Sequence, residues 1–313
     1  MSRLFLKFAI VLCCIALVVG AMAQEPAQKQ DQVPTYKVNV KLVNVFATVL
    51  DQQGSPIGGL QKDNFKLFED GVPQTISVFS RESELPLSIV LAVDVSLSTK
   101  KDLALELQSA RKFVRSIVRP QDALALFEFS ETVDQLTKFT SNMNTIDNGL
   151  ARVHNGSATA LYDAVYLGSQ ALAKRDGRKV MVVITDGGDT VSQTNYQQAL
   201  RAAQESEALV YSLIVVPIEA DAGRDLGGEH ALIQLSHDTG GKHYYASGLA
   251  QLDKAFEQIS EELRTQYLLA YYPSRRITDG DFRRIKVDVT ADAPNGPAVA
   301  RYRTGYYTAK DSF

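Results

Sequence analysis

Asp94-Val-Ser96-Leu-Ser98 follows directly on an apolar run, Leu87-Ser-Ile-Val-Leu-Ala-Val93. A buried strand that stops on one carboxylate and two hydroxyls at alternate positions offers three oxygens in one loop. That is the ligand chemistry of hard divalent cations: Mg²⁺, with Mn²⁺ or Ca²⁺ as alternatives. Two later segments can complete such a site. Ser157-Ala-Thr159-Ala-Leu-Tyr-Asp163 opens a helix, and Ile184-Thr-Asp186-Gly-Gly188 closes a second apolar strand. In open α/β sheets ligands bind beyond the carboxyl ends of the strands, so Asp94, Ser96, Ser98, Thr159 and Asp186 can meet at one sheet edge. If the three hydroxyls make the direct contacts, they neutralise none of the cation's charge, and the two carboxylates act through water or through bonds to the hydroxyls. Such a cation keeps an open position and attracts an outside carboxylate. The expected partner is therefore a protein ligand presenting Asp or Glu, at a binding surface and not in a catalytic cleft.

The elements that must position these oxygens are legible as periodicity. From Leu85 onward apolar strands, expected at 87–93, 123–129, 179–185, 209–217 and 242–246, alternate with helices. Leu103, Leu107, Ala110, Val114 and Ile117 share one helix face, and Leu161, Val165 and Leu172 share another. The last helix, about 249–265, puts Leu252, Phe256, Ile259 and Leu263 on one side. Val180-Met-Val-Val-Ile184 and Leu209 to Val216 are almost wholly apolar, as strands covered on both faces are. Strand–helix alternation implies a doubly wound, mainly parallel sheet.

The flanks read differently. Val43, Val45, Ala47 and Val49 alternate with other residues at the strand period of two, and a phase slip at Leu42-Val43 predicts a bulge or sheet crossing. Phe65 to Phe68 begins a further strand, and Asp70-Gly71 turns it back into Gln74 to Phe79. After the last helix, strands are expected at 267–272, 284–289 and 298–302, with an Asn295-Gly296 turn between the last two. Neither flank can bury a core alone. Residues 266–313 are therefore expected to pair with 35–84 as a β-sandwich-like module, with an α/β domain, 85–265, inserted between them.

The three site segments resemble the metal-ion-dependent adhesion site of von Willebrand factor A domains: Asp-x-Ser-x-Ser, a distant Thr, and an Asp in a Thr-Asp-Gly turn. Here they stand as Asp94-Val-Ser96-Leu-Ser98, Thr159 and Thr185-Asp186-Gly187. The resemblance covers about residues 86–265 and implies the von Willebrand factor A (Rossmann-like) fold, a bound divalent cation and an adhesive role. Val45 to Asp51, Leu60 to Gly71 and Tyr267 to Pro273 are similar to a bacterial exported family of such proteins, the acidobacterial type.

Plainer readings stand beside these. Asp94, Ser96 and Ser98 are also good helix caps, and Asp163 and Asp189 read as capping or solvated groups. His230, His237 and His243 match no zinc spacing, and His154 reads as a surface residue near the Thr159 turn. The doublets Tyr244-Tyr245, Tyr271-Tyr272 and Tyr306-Tyr307 suit an interface or simply strands. No nucleophile elbow or phosphate loop is present in the sequence. The expected protein is therefore not an enzyme. A structural envelope protein with a vestigial metal site is the alternative, and a metal-assisted hydrolase a weaker one.

Composition bounds the rest. The chain has 313 residues, 45% hydrophobic and 22% charged, which suits a folded exported protein of one large or two modest domains. Residues 1–23 read as a signal peptide: Arg3 and Lys7, an apolar core from Phe8 to Val19, and Ala21-Met-Ala23 as the cleavage site. The polar stretch 24–34 reads as a disordered leader. The alternative to cleavage is a retained anchor. The only two cysteines, Cys13 and Cys14, lie within this core, so the mature chain has none. Loss of Arg3 and Lys7 leaves 31 basic residues against 36 acidic ones. That balance disfavours nucleic acid and anionic lipid as partners. No membrane span is expected after signal removal, and the location is periplasmic or extracellular.

Overall fold

The structure, a computed structural model, describes residues 42–81, 85–97, 99, 103–216, 226–275, 280–293 and 296–308. The signal peptide, the leader, residues 35–41 and Ser98 lie outside the described residues.

Strand β1 (Val43–Leu50) has both faces covered. Its odd-numbered side chains, Val43, Val45, Ala47 and Val49, enter one apolar core, while Phe46 on the other face joins a second. Leu42 packs on the Phe46 side, and the residues before it, whose phase the expected slip concerns, lie outside the described residues. Strands β2 (Phe65–Glu69) and β3 (Val72–Gln74) form a hairpin turned by Asp70 and Gly71. Both turn residues have positive φ, 47° and 80°, the twist that suits a two-residue hairpin. Strand β4 (Ile76–Ser80) then crosses into the other sheet.

The next segment carries the parallel sheet. In chain order it comprises β5 (Leu87–Asp94), α1 (Leu103–Ile117), β6 (Ala123–Phe129), β7 (Val133–Thr140), α2 (Met143–Leu150), α3 (Leu161–Ala173) and β8 (Arg178–Thr185). It continues with α4 (Tyr196–Glu205), β9 (Ala208–Val215), α5 (Leu226–Thr239), β10 (His243–Ala246) and α6 (Leu249–Arg264). The sheet order is β10-β9-β8-β5-β6-β7. All neighbours are parallel except β7, which closes the edge antiparallel to β6. Alternate residues of β5 feed two cores. Ile89, Leu91 and Val93 face α1, α2 and α6, whereas Val90 and Ala92 face α3, α4 and α5. The chain runs from β5 outward to β6 and β7, then returns to β8 on the other side. The switch point of this winding therefore lies between β5 and β8, where a doubly wound sheet opens a crevice at its carboxyl end.

The C-terminal strands are β11 (Tyr267–Tyr271), β12 (Phe282–Val289), a short β13–β14 hairpin (Asp292–Ala293, Gly296–Pro297), β15 (Val299–Arg301) and β16 (Gly305–Tyr307). They pair with the N-terminal ones in two antiparallel sheets, β15-β1-β11-β4 and β16-β12-β2-β3. The sandwich core between them holds Val45, Leu67, Tyr267, Leu269 and Val287. Leu268 and Ala270, on the outer face of β11, join Phe46 in the same core as Phe256, Ile259 and Leu263 of α6. The fold class is thus α/β with a mainly parallel sheet between N- and C-terminal strands that form additional antiparallel sheets. The tyrosine doublets follow strand alternation: Tyr244 and Tyr271 are buried, and Tyr245 and Tyr272 are exposed.

Candidate cation site at the carboxyl edge of the central sheet

Asp94, the last residue of β5, is completely buried. Its Oδ1 accepts the Ser96 N–H at 2.9 Å, and its Oδ2 accepts the Thr185 hydroxyl at 2.6 Å. Thr185 is the last residue of β8, so this bond ties the two strands that flank the switch point. The Ser96 side chain also bonds Asp94, and Asp186 raises its pKa by like-charge repulsion. Burial is the largest effect: it pushes the Asp94 carboxyl up to about 6, against the three hydrogen bonds that favour the ionised form. Ser96 is itself buried, and Thr99 caps the turn by donating to the Ser96 carbonyl at 2.9 Å.

Thr159 reaches the same edge along another route. The loop before α3 is held by backbone bonds from Gly156 N–H to the Val95 carbonyl (2.6 Å) and from Ala160 N–H to the Ser130 carbonyl (2.7 Å). The Thr159 carbonyl accepts the Thr190 N–H at 2.8 Å, and the Thr159 N–H donates to the Thr190 hydroxyl at 2.9 Å. The loop of Thr159 is thereby joined on one side to that of Asp94 and on the other to that of Asp186. Asp94 and Ser96 are hydrogen-bonded, Asp186 is near enough to repel the Asp94 charge, Thr159 lies in the adjoining loop, and Ser98 falls outside the described residues. Thr185 belongs to the constellation as well. Sequence reasoning treated it only as part of the Thr-Asp-Gly turn, although a hydroxyl closing the strand beside Asp94 was the available signal.

The other carboxylates at this edge have backbone work. Asp189 accepts the Tyr162 N–H at the start of α3 (3.1 Å). Asp163 accepts the N–H groups of Gln193 and Thr194 at 3.0 and 2.8 Å, and although burial raises its carboxyl pKa, a bond from the Thr194 side chain together with these two holds it below the usual range. Among the described residues no three His, Cys, Asp or Glu side chains come together as a metal cluster. The convergent donors are instead two carboxylates and several hydroxyls. Among the described residues no helix is long and apolar enough to cross a membrane.

A sequence profile of the von Willebrand factor type A domain matches residues 89–190, the span that contains Asp94, Thr159 and Asp186. No curated protein matches the chain in sequence. Among solved structures, a von Willebrand factor type A protein from Catenulispora acidiphila superposes with a TM-score of 0.51 at 10% identity, covering 88% of this chain and 76% of that one. BatB from Bacteroides thetaiotaomicron, a conserved hypothetical protein, gives 0.47 at 18% identity over 57% of this chain and 100% of its own. The vWF domain of the type V pili tip protein Mfa5 from Porphyromonas gingivalis gives 0.46 at 12%, over 56% and 94%. At such identities the likeness is one of fold. The Catenulispora superposition is broad enough to take in flanking strands as well as the parallel sheet. The matched span, the sheet order and that superposition agree on a von Willebrand factor type A fold, with the profile of that domain matched over residues 89–190.

Proposed function

We propose that the protein is an exported, non-enzymatic protein-binding module of the adhesion type. In this reading a divalent cation, Mg²⁺ or else Mn²⁺ or Ca²⁺, is held by Asp94, Ser96, Ser98, Thr159 and Asp186, and an Asp or Glu side chain of a partner protein completes it. The supporting observation is Asp94: a fully buried carboxylate, beside a second carboxylate and between two hydroxyl-bearing strand ends, at the switch point of the sheet. That donor set fits a hard cation and leaves much of its charge uncompensated, the condition for recruiting an outside anion. Direct contact through one carboxylate is small, so a stable complex needs a surrounding interface of about 800 Å² per partner.

Titration calorimetry with Mn²⁺ and Mg²⁺ tests the site. Wild type is expected to bind and Asp94→Ala to give no heat while retaining its circular dichroism. Capture of partners from the native envelope should then depend on Mg²⁺ and vanish with EDTA. Capture that survives EDTA removes the cation from the mechanism. A second reading, a structural envelope protein with a vestigial site, has one observation in its favour: both Asp94 oxygens already accept hydrogen bonds from the protein. A folded wild type silent towards millimolar metal decides for it.

A further inference from the structure

Strand β6 reads Ala123-Leu-Ala-Leu-Phe-Glu-Phe129, one acid in an otherwise apolar buried strand. Glu128 is 8% exposed, and a carboxylate so placed is costly unless its oxygens are used. They are used on one short loop. Oε2 accepts the His154 N–H at 2.9 Å, and Oε1 lies 3.3 Å from His154 Nδ1. The His154 side chain is otherwise mostly in solvent.

The loop concerned is the one that delivers Thr159. Leu150 and Val153 pack into the core on the α1 side of the sheet, and Leu161 packs into the core on the α3 side. Residues 154–160 must therefore pass over the carboxyl edge of the sheet from one face to the other. The passage is fixed by Glu128 at its start, by the Gly156–Val95 bond and the Ser157 N–H to Glu131 bond (3.0 Å) at the crest, and by the Thr159–Thr190 and Ala160–Ser130 bonds at its end. The crest has no room to spare. A Cβ on Gly156 would fall 2.1 Å from the Ser130 Cβ and 2.7 Å from Glu131 Oε2. The backbone anchors form in any sequence that follows this path. Two carboxylates anchor the loop as well: Glu131, exposed, holds Ser157 at the crest, whereas Glu128, buried in β6, holds His154 where the crossing begins.

We propose that Glu128 is a positioning residue: by holding the His154 N–H it sets the height at which the loop crosses the sheet edge, and so where Thr159 stands relative to Asp94. This rests on the cation-site reading for its functional consequence and on hydrogen bonding alone for its mechanism. Glutamine keeps an acceptor oxygen and alanine does not, so the pair separates the bond from the charge.

The experiment uses the full chain as wild type, Glu128→Ala, Glu128→Gln and Gly156→Ala. The readouts are residue-resolved amide exchange at 154–157, Mn²⁺ affinity by calorimetry, and the unfolding midpoint as a check on folding. Glu128→Ala is expected to speed His154 exchange at least tenfold and weaken Mn²⁺ about tenfold, whereas Glu128→Gln stays within threefold of wild type in both. Gly156→Ala, which must push the crest away from Ser130, is expected to weaken Mn²⁺ comparably, its unfolding midpoint showing that the sheet stays folded. Unchanged His154 exchange in Glu128→Ala overturns the proposal, as does a Glu128→Gln variant as impaired as the alanine. Unchanged Mn²⁺ affinity in Gly156→Ala overturns the link from loop height to the site. A wild type that takes up no Mn²⁺ overturns the cation site instead, and the exchange data alone then decide the clamp.

Discussion

Two buried carboxylates, one in the carboxyl-edge crevice and one where the α/β domain meets the sandwich, meet opposite fates. Glu262 of α6 is 1% exposed and faces cations supplied by the protein itself. Arg301 of β15 pairs with one of its oxygens, Lys242 lies 3.5 Å from the other, and the Tyr244 hydroxyl donates at 3.2 Å. Asp94 is as deeply buried, but its neighbours are hydroxyls, an N–H and another carboxylate, and among the described residues no lysine or arginine pairs with it. The same burial is compensated by fixed cations at the junction and, among the described residues, by hydrogen bonds alone at the sheet edge. A charge the fold does not neutralise is one that a cation from solution can.

That contrast breaks most visibly at the junction. Removing one partner of a buried ion pair strands the other, at about 3–5 kcal/mol. Glu262→Ala and Arg301→Ala should each lower urea-unfolding stability by about that much, while Glu262→Leu with Arg301→Met recovers most of it. If either single change is nearly neutral, the junction does not depend on internal compensation and the comparison fails.

At the sheet edge the expected sign is reversed. The folded Asp94 pKa, about 6, stands above the ordinary carboxyl value of 3.8. Between those two values the folded state holds a proton that the unfolded chain has lost, so stability falls as pH rises from about 4 to about 6. Above pH 6 the full cost is carried, up to about 3 kcal/mol for a shift of this size. Metal-free Asp94→Asn is therefore expected to be more stable than wild type at pH 7, by up to that amount, and to lack this part of the pH slope. Saturating Mg²⁺ should stabilise wild type and leave the variant unchanged. Equal urea midpoints for the two metal-free proteins at pH 7 would show that Asp94 carries no such cost.

How far the sequence disclosed these features depends on whether apolar periodicity announced them. The runs at 87–93, 123–129 and 179–185 are visible because both faces are covered, and they became β5, β6 and β8. β7 went unread because Val133-Asp-Gln-Leu-Thr-Lys-Phe-Thr140 is a half-exposed edge strand whose one fully buried residue is polar, Thr137. α4 buries only Ala199, Ala203 and Gln204, too small a face to register, although its Asn195–Gln198 capping box was a usable signal. At the site, the residue types of Asp94, Ser96 and Asp186 were readable from spacing. The Thr185 bond and the Glu128 clamp were not, because register between distant strands decides which hydroxyl or N–H meets which carboxylate.

Asp163 gives the finest test of the comparison, since it lies at the same edge and is also a carboxylate. It differs from Asp94 in being less buried and in accepting two backbone N–H groups besides the Thr194 side chain, and its pKa is lowered. A lowered value means that its contribution is present above the unfolded pKa and lost as pH falls below it, the opposite sense to Asp94. Its position in the first turn of α3 adds a favourable interaction with the helix dipole. Asp163→Ala should therefore cost about 1 kcal/mol, the scale of a lost intramolecular hydrogen bond, and shift Mn²⁺ affinity less than twofold. A large loss of Mn²⁺ affinity with little loss of stability would make Asp163 part of the cation site, and hydrogen bonding to the backbone would no longer separate the structural carboxylates from the functional ones.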